Sequence, residues 1–365
     1  MMLRTNSLAF LLSTVLLLVF LIAPLYMLAS DDAMADEKAR RIQYGPDNPA
    51  ETYVPHAYKE YQADIGEISM NYAVVGSPEN PAIVLLPAQG ESWWGYEKAM
   101  DILSKNFQVY AVDLRGQGRS SRTPGRYTID NFGNDVVRFI TYVVRRPVIV
   151  SGLSSGGVIT AWVSAYAPPG MIRGAVYEDP PLFSSELTPA IGVSIKQHVV
   201  YDYFKLLNQY LGDQWKTGDY AGFVQAAHEK FPFVLKNSDE PGQSTKEYDP
   251  EWARAFFSGT ASASCDHAQM LSQVKCPVLF THHTRSPEPA AIGETLKGAL
   301  SDKQVKVVGD LITEAGQPFT YKSFPKMGHF MHTKDPELFT NLIKEWAKSL
   351  PSETEVRSQG VFADD

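Results

Sequence analysis

Val148-Ile-Val-Ser-Gly-Leu-Ser-Ser-Gly-Gly157 runs a short apolar strand directly into the pentapeptide Gly152-Leu-Ser-Ser-Gly156. A serine at the centre of such a pentapeptide sits on a strained strand-to-helix turn that lifts its hydroxyl clear of the sheet. Ser154 is that serine, and Gly152 and Gly156 stand where a side chain would strike neighbouring backbone. The pentapeptide alone says little, because small residues cluster by chance in long chains. Its setting says more: Val148-Ile149-Val150 precedes it and a helix-like run from Gly157 to Ala165 follows.

Working outward, strand-like segments alternate with helical ones. Strands are expected at 68–75, 82–86, 107–112, 148–150, 172–178, 278–281 and 320–324, and helices at 96–103, 129–144, 155–167 and 336–350. Short apolar strands interleaved with helices imply a mostly parallel central sheet with helices on both faces. From about Phe183 to Ala268 the alternation stops, and the residues are helix-like and aromatic, as expected of an inserted helical cap. Core segments are therefore expected at 66–182 and 269–351, flanked by a Pro-containing linker or wrapping arm at 36–65 and a polar tail at 352–365.

The chain has 365 residues, 44% hydrophobic, enough for one large core with an insertion. A net charge of −8 and the lack of a basic stripe argue against a nucleic-acid partner. Leu8 to Ala29 is almost continuously apolar with Arg4 before it and Asp31 and Asp32 after, so residues 1–35 read as a membrane anchor or a cleaved signal. Ala33-Met34-Ala35 supplies small residues for cleavage. Either reading places the remainder outside the cytoplasm, secreted, periplasmic or membrane-tethered. Cys265 and Cys276 could pair there or remain buried thiols. No Cys/His cluster has zinc spacing, so no metal and no cofactor is expected.

A serine nucleophile needs a base for its proton, an acid to orient that base, and amide donors for the oxyanion. On this architecture the order along the chain is nucleophile, acid, histidine. His329, directly after Gly328 in Met327-Gly-His-Phe-Met-His332, is the expected base, with His332 as a helix-capping alternative. The loop after 278–281 contains no aspartate, so Asp179 in Glu178-Asp179-Pro180 is the expected acid; Glu178 and Glu288 remain alternatives. For the oxyanion, the loop Pro87-Ala-Gln-Gly-Glu-Ser-Trp-Trp94 offers the backbone N–H of Gln89 opposite that of Ser155. Trp93, Trp94 and Phe183 are candidates to line a pocket for a bulky apolar ester or lactone, with one of the two tryptophans a core residue as the alternative. Asp113-Leu-Arg-Gly-Gln-Gly-Arg-Ser120 has glycines without the dinucleotide spacing, and is expected to form a structural turn.

Gly152-Leu-Ser-Ser-Gly-Gly157, Asp113-Leu-Arg-Gly-Gln-Gly-Arg-Ser120 and Gly328-His329 resemble the α/β-hydrolases. Glu91-Ser-Trp-Trp-Gly-Tyr-Glu97, Asp130-Asn-Phe-Gly-Asn-Asp-Val-Val-Arg-Phe-Ile140, Leu211-Gly-Asp-Gln-Trp215, Lys246-Glu-Tyr-Asp-Pro-Glu-Trp-Ala-Arg-Ala-Phe-Phe257 and Met270-Leu-Ser-Gln-Val-Lys275 are similar to stretches of bacterial zearalenone lactonases. The likeness runs from about Gly66 to Pro351 and reaches through the cap. It implies cofactor-free opening of a macrocyclic resorcylic acid lactone, with the acid at the position of Asp179. The N-terminal segment has no counterpart in that resemblance, which leaves a general esterase and a slow-turnover ligand receptor as alternatives.

Overall fold

A computed structural model describes residues 56–187, 198–214, 216, 218–230, 241–285 and 298–363. The anchor or signal at 1–35, most of the linker, and Glu288 lie outside the described residues. Eight strands form one sheet: β1 (Glu60–Asp64), β2 (Ser69–Val75), β3 (Ala82–Leu86), β4 (Gln108–Val112), β5 (Val148–Leu153), β6 (Ile172–Glu178), β7 (Val278–His282) and β8 (Phe319–Ser323). Their spatial order is β1-β2-β4-β3-β5-β6-β7-β8. The strands from β4 to β8 pair in parallel, whereas β2 is antiparallel to both β1 and β4.

Strand alternation divides the apolar residues between two cores. Ile83, Leu85, Ile149, Val176 and Leu279 face one side, and Val84, Leu86, Val148, Val150, Tyr177 and Phe280 face the other. Each fully buried aliphatic contributes about 1.5–3 kcal/mol, so both faces must be covered by helices. Helices α1 (Glu97–Leu103), α2 (Ile129–Phe139) and α3 (Ser155–Tyr166) lie in the first half of the chain. The alternation explains why α3 is apolar on nearly every side: Ser155 through Ala165 are all buried. Thr128 starts α2, its side chain accepting the Asn131 N–H at 3.1 Å.

Between β6 and β7 the elements among the described residues are helices joined by turns. It holds α4 (His198–Tyr210), α5 (Tyr220–Lys230), α6 (Gln243–Glu247), α7 (Pro250–Phe257) and α8 (His267–Leu271). Aromatics join this cap internally, Phe204 to Phe256 at 4.7 Å between ring centroids, and to the core, Phe132 of α2 to Trp252 at 4.4 Å. Helices α9 (Asp302–Glu314), α10 (Met331–Lys334), α11 (Pro336–Ala347) and α12 (Glu353–Arg357) complete the described chain. Among the described residues no helix is long and apolar enough to cross a membrane.

Two expected boundaries need correction. The 36–65 linker gives up its end to β1, an edge strand whose weak alternation and exposed flank leave little apolar signal. The 352–365 tail is docked: Ser352 caps α12, and Val356 and Phe362 are buried. Residues Gly170 and Gly360 are so close there that a side chain on either would overlap the other's backbone. The helix Asp302–Glu314 was also absent from the expected elements, although Ser301 and Gln304 form a capping box at its start.

Candidate active site

In the sheet, β3 and β5 are neighbours although β4 lies between them in sequence, so chain direction across the sheet reverses at their boundary. Such a switch point leaves a crevice at the carboxyl ends of the strands, where ligands bind in open α/β sheets. The loop after β3 and the turn after β5 flank it. Ser154 occupies that turn with φ 55° and ψ −121°, a conformation that L-residues rarely adopt. It is held there from both sides: the Ser154 N–H donates to the Glu178 carbonyl at 2.9 Å. A Cβ on Gly152 would fall 2.2 Å from the Gly156 carbonyl oxygen, and one on Gly156 2.5 Å from that of Leu86. The glycines are therefore fixed by close backbone approach, and the strain at Ser154 is of order 1–3 kcal/mol.

Next along the sheet, β6 ends in two carboxylates. Asp179, with φ 44°, accepts the His283 N–H on Oδ1 at 3.0 Å. Its Oδ2 meets His329 Nδ1 at 2.6 Å. Burial alone would raise the Asp179 carboxyl, but the His329 hydrogen bond and charge outweigh it and hold the group below its usual range. Burial pulls His329 down, and the same carboxylate more than restores it, leaving the imidazole above its ordinary value. The imidazole remains 34% exposed. Ser154 and His329 share no hydrogen bond among the described residues, a separation commonly seen in sites without substrate.

Glu178 and His332, both considered for those roles, pair with each other. The Glu178 carboxylate accepts the His332 N–H at 3.1 Å and lies 3.1–3.2 Å from its Nδ1. Neither side chain is exposed (0% each), and the His332 ring stacks on Tyr96 at 4.1 Å. Burial would lift Glu178, but His332 and then His283 hold it low. His332 is in turn held above its ordinary value, against burial, by Glu178 and Glu91. Glu91 itself is raised, chiefly by burial, and feels the charges of both His332 and His329.

The loop after β7 braces the site. His283 sends its N–H to Asp179 and its Nδ1 to the His329 carbonyl at 2.9 Å, while Thr284 bonds the Met327 carbonyl at 3.0 Å. His282 bonds the Tyr321 hydroxyl and the Leu300 carbonyl, each at 3.0 Å. These supporting roles were not read from the sequence. The signal was present in two histidines following an apolar strand where a carboxylate was sought.

The oxyanion loop is less open than expected. Gln89 N–H does face Ser155, but it donates to the Ser155 hydroxyl at 2.7 Å, so the amide is engaged. The side chain of a small polar residue at the helix start reaches what a larger residue would leave free. The pocket-lining aromatics also need correction. Trp93 is fully buried, with its indole N–H on Glu60 at 2.7 Å, and is a core residue. Phe183 is equally buried, its N–H on His267 Nδ1 at 3.0 Å and its carbonyl on Gln304 at 3.2 Å, so it lines no open pocket in this conformation. Trp94 is half-buried, stacked on His56 at 5.3 Å.

The 113–122 turn has the structural duty expected of it. Asp113 accepts the N–H groups of Trp93 at 2.7 Å and Arg119 at 3.0 Å and the Asn71 amide at 2.8 Å. Burial, with the Glu247 charge, pushes Asp113 up to about 7 despite those donors. Arg115 pairs with Asp135 at 2.6 Å.

Cys265 and Cys276 are buried free thiols, each pushed up to about 12 by burial and so unreactive. Among the described residues no group of three or more His, Cys, Asp and Glu could hold a metal ion. An open groove of about 730 Å³ between β8 and α9, lined by Arg285, Asp302 and Tyr321, shares no residue with the candidate triad.

Comparison with known proteins agrees with this fold. The profile of the Alpha/beta hydrolase family matches residues 83–342. A 3-oxoadipate enol-lactonase of Acinetobacter baylyi is 26% identical over 102 residues, 28% of this chain and 38% of that protein. A bifunctional esterase/perhydrolase of Acinetobacter calcoaceticus is 24% identical over 268 residues, 72% of this chain and 89% of its own. The match thus spans well under two thirds of the enol-lactonase but most of the esterase. A solved structure of a bacterial membrane phospholipase A superposes with a TM-score of 0.58 at 17% identity, covering 93% of this chain and 98% of that one, which is a likeness of fold.

Proposed function

The chain belongs to the α/β-hydrolase family, and we propose that within it the protein is a serine carboxylic ester hydrolase that opens a bulky apolar lactone of the resorcylic acid class, as in zearalenone. The observation that carries this reading is the 2.6 Å bond between His329 Nδ1 and Asp179 Oδ2, placed beside the strained serine turn. The aspartate fixes the imidazole tautomer so that Nε2 is free to take the Ser154 proton. Ser154 then attacks the lactone carbonyl, the oxyanion forms against the amides of Gln89 and Ser155, and His329 returns its proton to the leaving alkoxide. Because that alcohol stays tethered to the acyl group, ring closure competes with water, and a site that lets the freed arm swing away favours hydrolysis. Water, giving its proton to His329, then attacks the acyl-enzyme and frees Ser154, and the released dihydroxybenzoic acid loses carbon dioxide without further help from the protein.

The lactone part of the reading draws on the sequence resemblance and on the enol-lactonase and esterase among the relatives. We place the enzyme outside the cytoplasm, on the apolar segment 8–29. A second reading, a slow-turnover ligand receptor on the same scaffold, is favoured by one observation: the Gln89 N–H is already engaged by Ser155.

The test incubates the full chain with zearalenone beside 4-nitrophenyl esters. Mass analysis should find the hydrated, decarboxylated product over many turnovers, and Ser154→Ala should lower kcat by about 10⁵–10⁶. Turnover of the simple esters alone would remove the lactone assignment and keep the esterase. A single turnover without recycling would support the receptor.

A further inference from the structure

We propose that Glu247, Tyr248 and Asp249, three consecutive residues of the helical cap, are positioning residues for the oxyanion loop, so that seating the cap and assembling the oxyanion site are one event. The inference rests on the ester-hydrolase reading above. It starts from the weakness of the loop's own restraints. Pro87 has no N–H to give, Gly90 sits at φ 82°, and a single turn bond, Glu91 N–H to the Ala88 carbonyl at 3.1 Å, is internal to the stretch. Left alone, such a stretch would not hold an amide to the tolerance that transition-state charge demands.

It is instead gripped from two sides. On the core side, the Gly90 N–H donates to the Gln117 side chain and the Trp93 N–H to Asp113 at 2.7 Å, both on the 113–122 turn. On the cap side, the Gln89 side-chain amide donates to the Tyr248 hydroxyl at 2.6 Å. The Ser92 hydroxyl and the Trp94 indole N–H both donate to Glu247, the latter at 3.2 Å. Asp249 closes the triangle by tying the cap to the turn: its N–H donates to the Gly116 carbonyl at 2.8 Å, and its carboxylate accepts Arg122 Nε at 2.7 Å and the Tyr127 hydroxyl. All three cap residues are buried.

Two physical points make this more than attachment. A buried carboxylate such as Glu247 contributes less to adhesion than an apolar residue of its size, and its attested use is to specify geometry. Gln89 also carries both contacts at once, its side chain on Tyr248 and its backbone N–H at the oxyanion position. Fixing the side chain therefore orients the peptide, and misplacing a reacting group by 1 Å can cost about 10² in rate.

The experiment uses the full chain with Tyr248→Phe, Gln89→Ala, which keeps the backbone N–H, the double variant, and Gln214→Ala. Gln214 fastens the cap to the turn, at the Gly118 carbonyl (2.9 Å), without touching the loop. With 4-nitrophenyl butyrate, Tyr248→Phe and Gln89→Ala should each lower kcat about tenfold at nearly constant KM, and the double variant should fall no further. Gln214→Ala should leave kcat in place. Hydrogen–deuterium exchange of residues 88–93 should quicken in Tyr248→Phe and Gln89→Ala, with β5 and α3 unchanged. Additive losses, or a Tyr248→Phe loop that exchanges at the wild-type rate, would overturn the proposal. Should the unsubstituted chain turn over no ester, the function falls and the exchange measurement alone decides whether the cap positions the loop.

Discussion

Two carboxylate–histidine pairs lie side by side at the end of β6, built from adjacent acids and from histidines three residues apart. Asp179–His329 and Glu178–His332 have the same chemistry, and both acids are held low while both bases are held high. They differ in access. His329 is 34% exposed and His332 is not exposed at all (0%). A proton on His329 can be exchanged with a bound reactant, whereas one on His332 is locked between Glu178 and the Tyr96 ring. The comparison teaches that the residue pair does not define the role. The same couple opens to the crevice in one case and is walled into the core in the other.

The sharpest way to break that contrast is to neutralise each acid in turn. Asp179→Asn should lower kcat by about 10⁴, with a smaller loss of stability than at Glu178, because His329 keeps contact with solvent and the asparagine oxygen can still accept the His283 N–H. Glu178→Gln should do the reverse. Removing one member of a buried pair costs about 3–5 kcal/mol, read by denaturant titration, with kcat retained within about tenfold for the folded fraction. If Glu178→Gln abolishes activity at full stability, the assignment of the two pairs is inverted.

Titration separates them further. His329 must be neutral to accept a proton, and its pKa is raised above 6.5, so kcat/KM should fall as pH drops through that raised value. In Asp179→Asn the acid limb should move to lower pH. For the buried pair the observable is stability. Raised His332 contributes fully below 6.5 and loses its contribution as pH climbs through its folded pKa. Depressed Glu178 contributes above 4.5 and loses it as pH falls through its folded pKa. The stability gap between the unsubstituted chain and Glu178→Gln should therefore be widest between 4.5 and 6.5. The smallest effect concerns the amide beside them: Ser155→Ala frees the Gln89 N–H and should raise kcat about fivefold, the worth of one ordinary hydrogen bond. A fall would mean that the hydroxyl itself meets the oxyanion.

Much of this was legible because the signals were local. The strand before Ser154 and the glycines around it are contiguous, and β3, β5, β6 and β7 begin at the residues where their apolar runs begin. Choosing Asp179 required only the lack of an aspartate after β7, and the structure sets it on His329. What escaped was set by tertiary contact. Trp93 and Trp94 are identical neighbours in sequence, and it is tertiary contact, Glu60 on the indole and Asp113 on the backbone N–H, that makes the first a core residue. The sequence sets Gln89 opposite Ser155, but nothing in either residue announces that the Ser155 hydroxyl would take up the Gln89 N–H across 66 positions. The edge strand β1 lacked the apolar alternation that a strand buried on one face must have.

The dipeptide at the end of β6 carries a further consequence. Its two acids diverge because neighbouring residues there aim their side chains apart, one to the Tyr96 side and one to the crevice. A single-residue deletion within β6 would draw Asp179 into the walled-in place and bring Pro180 to the one facing the crevice, leaving the His329 imidazole without a carboxylate. The length of this strand is therefore fixed to the residue, a constraint on how the chain can drift.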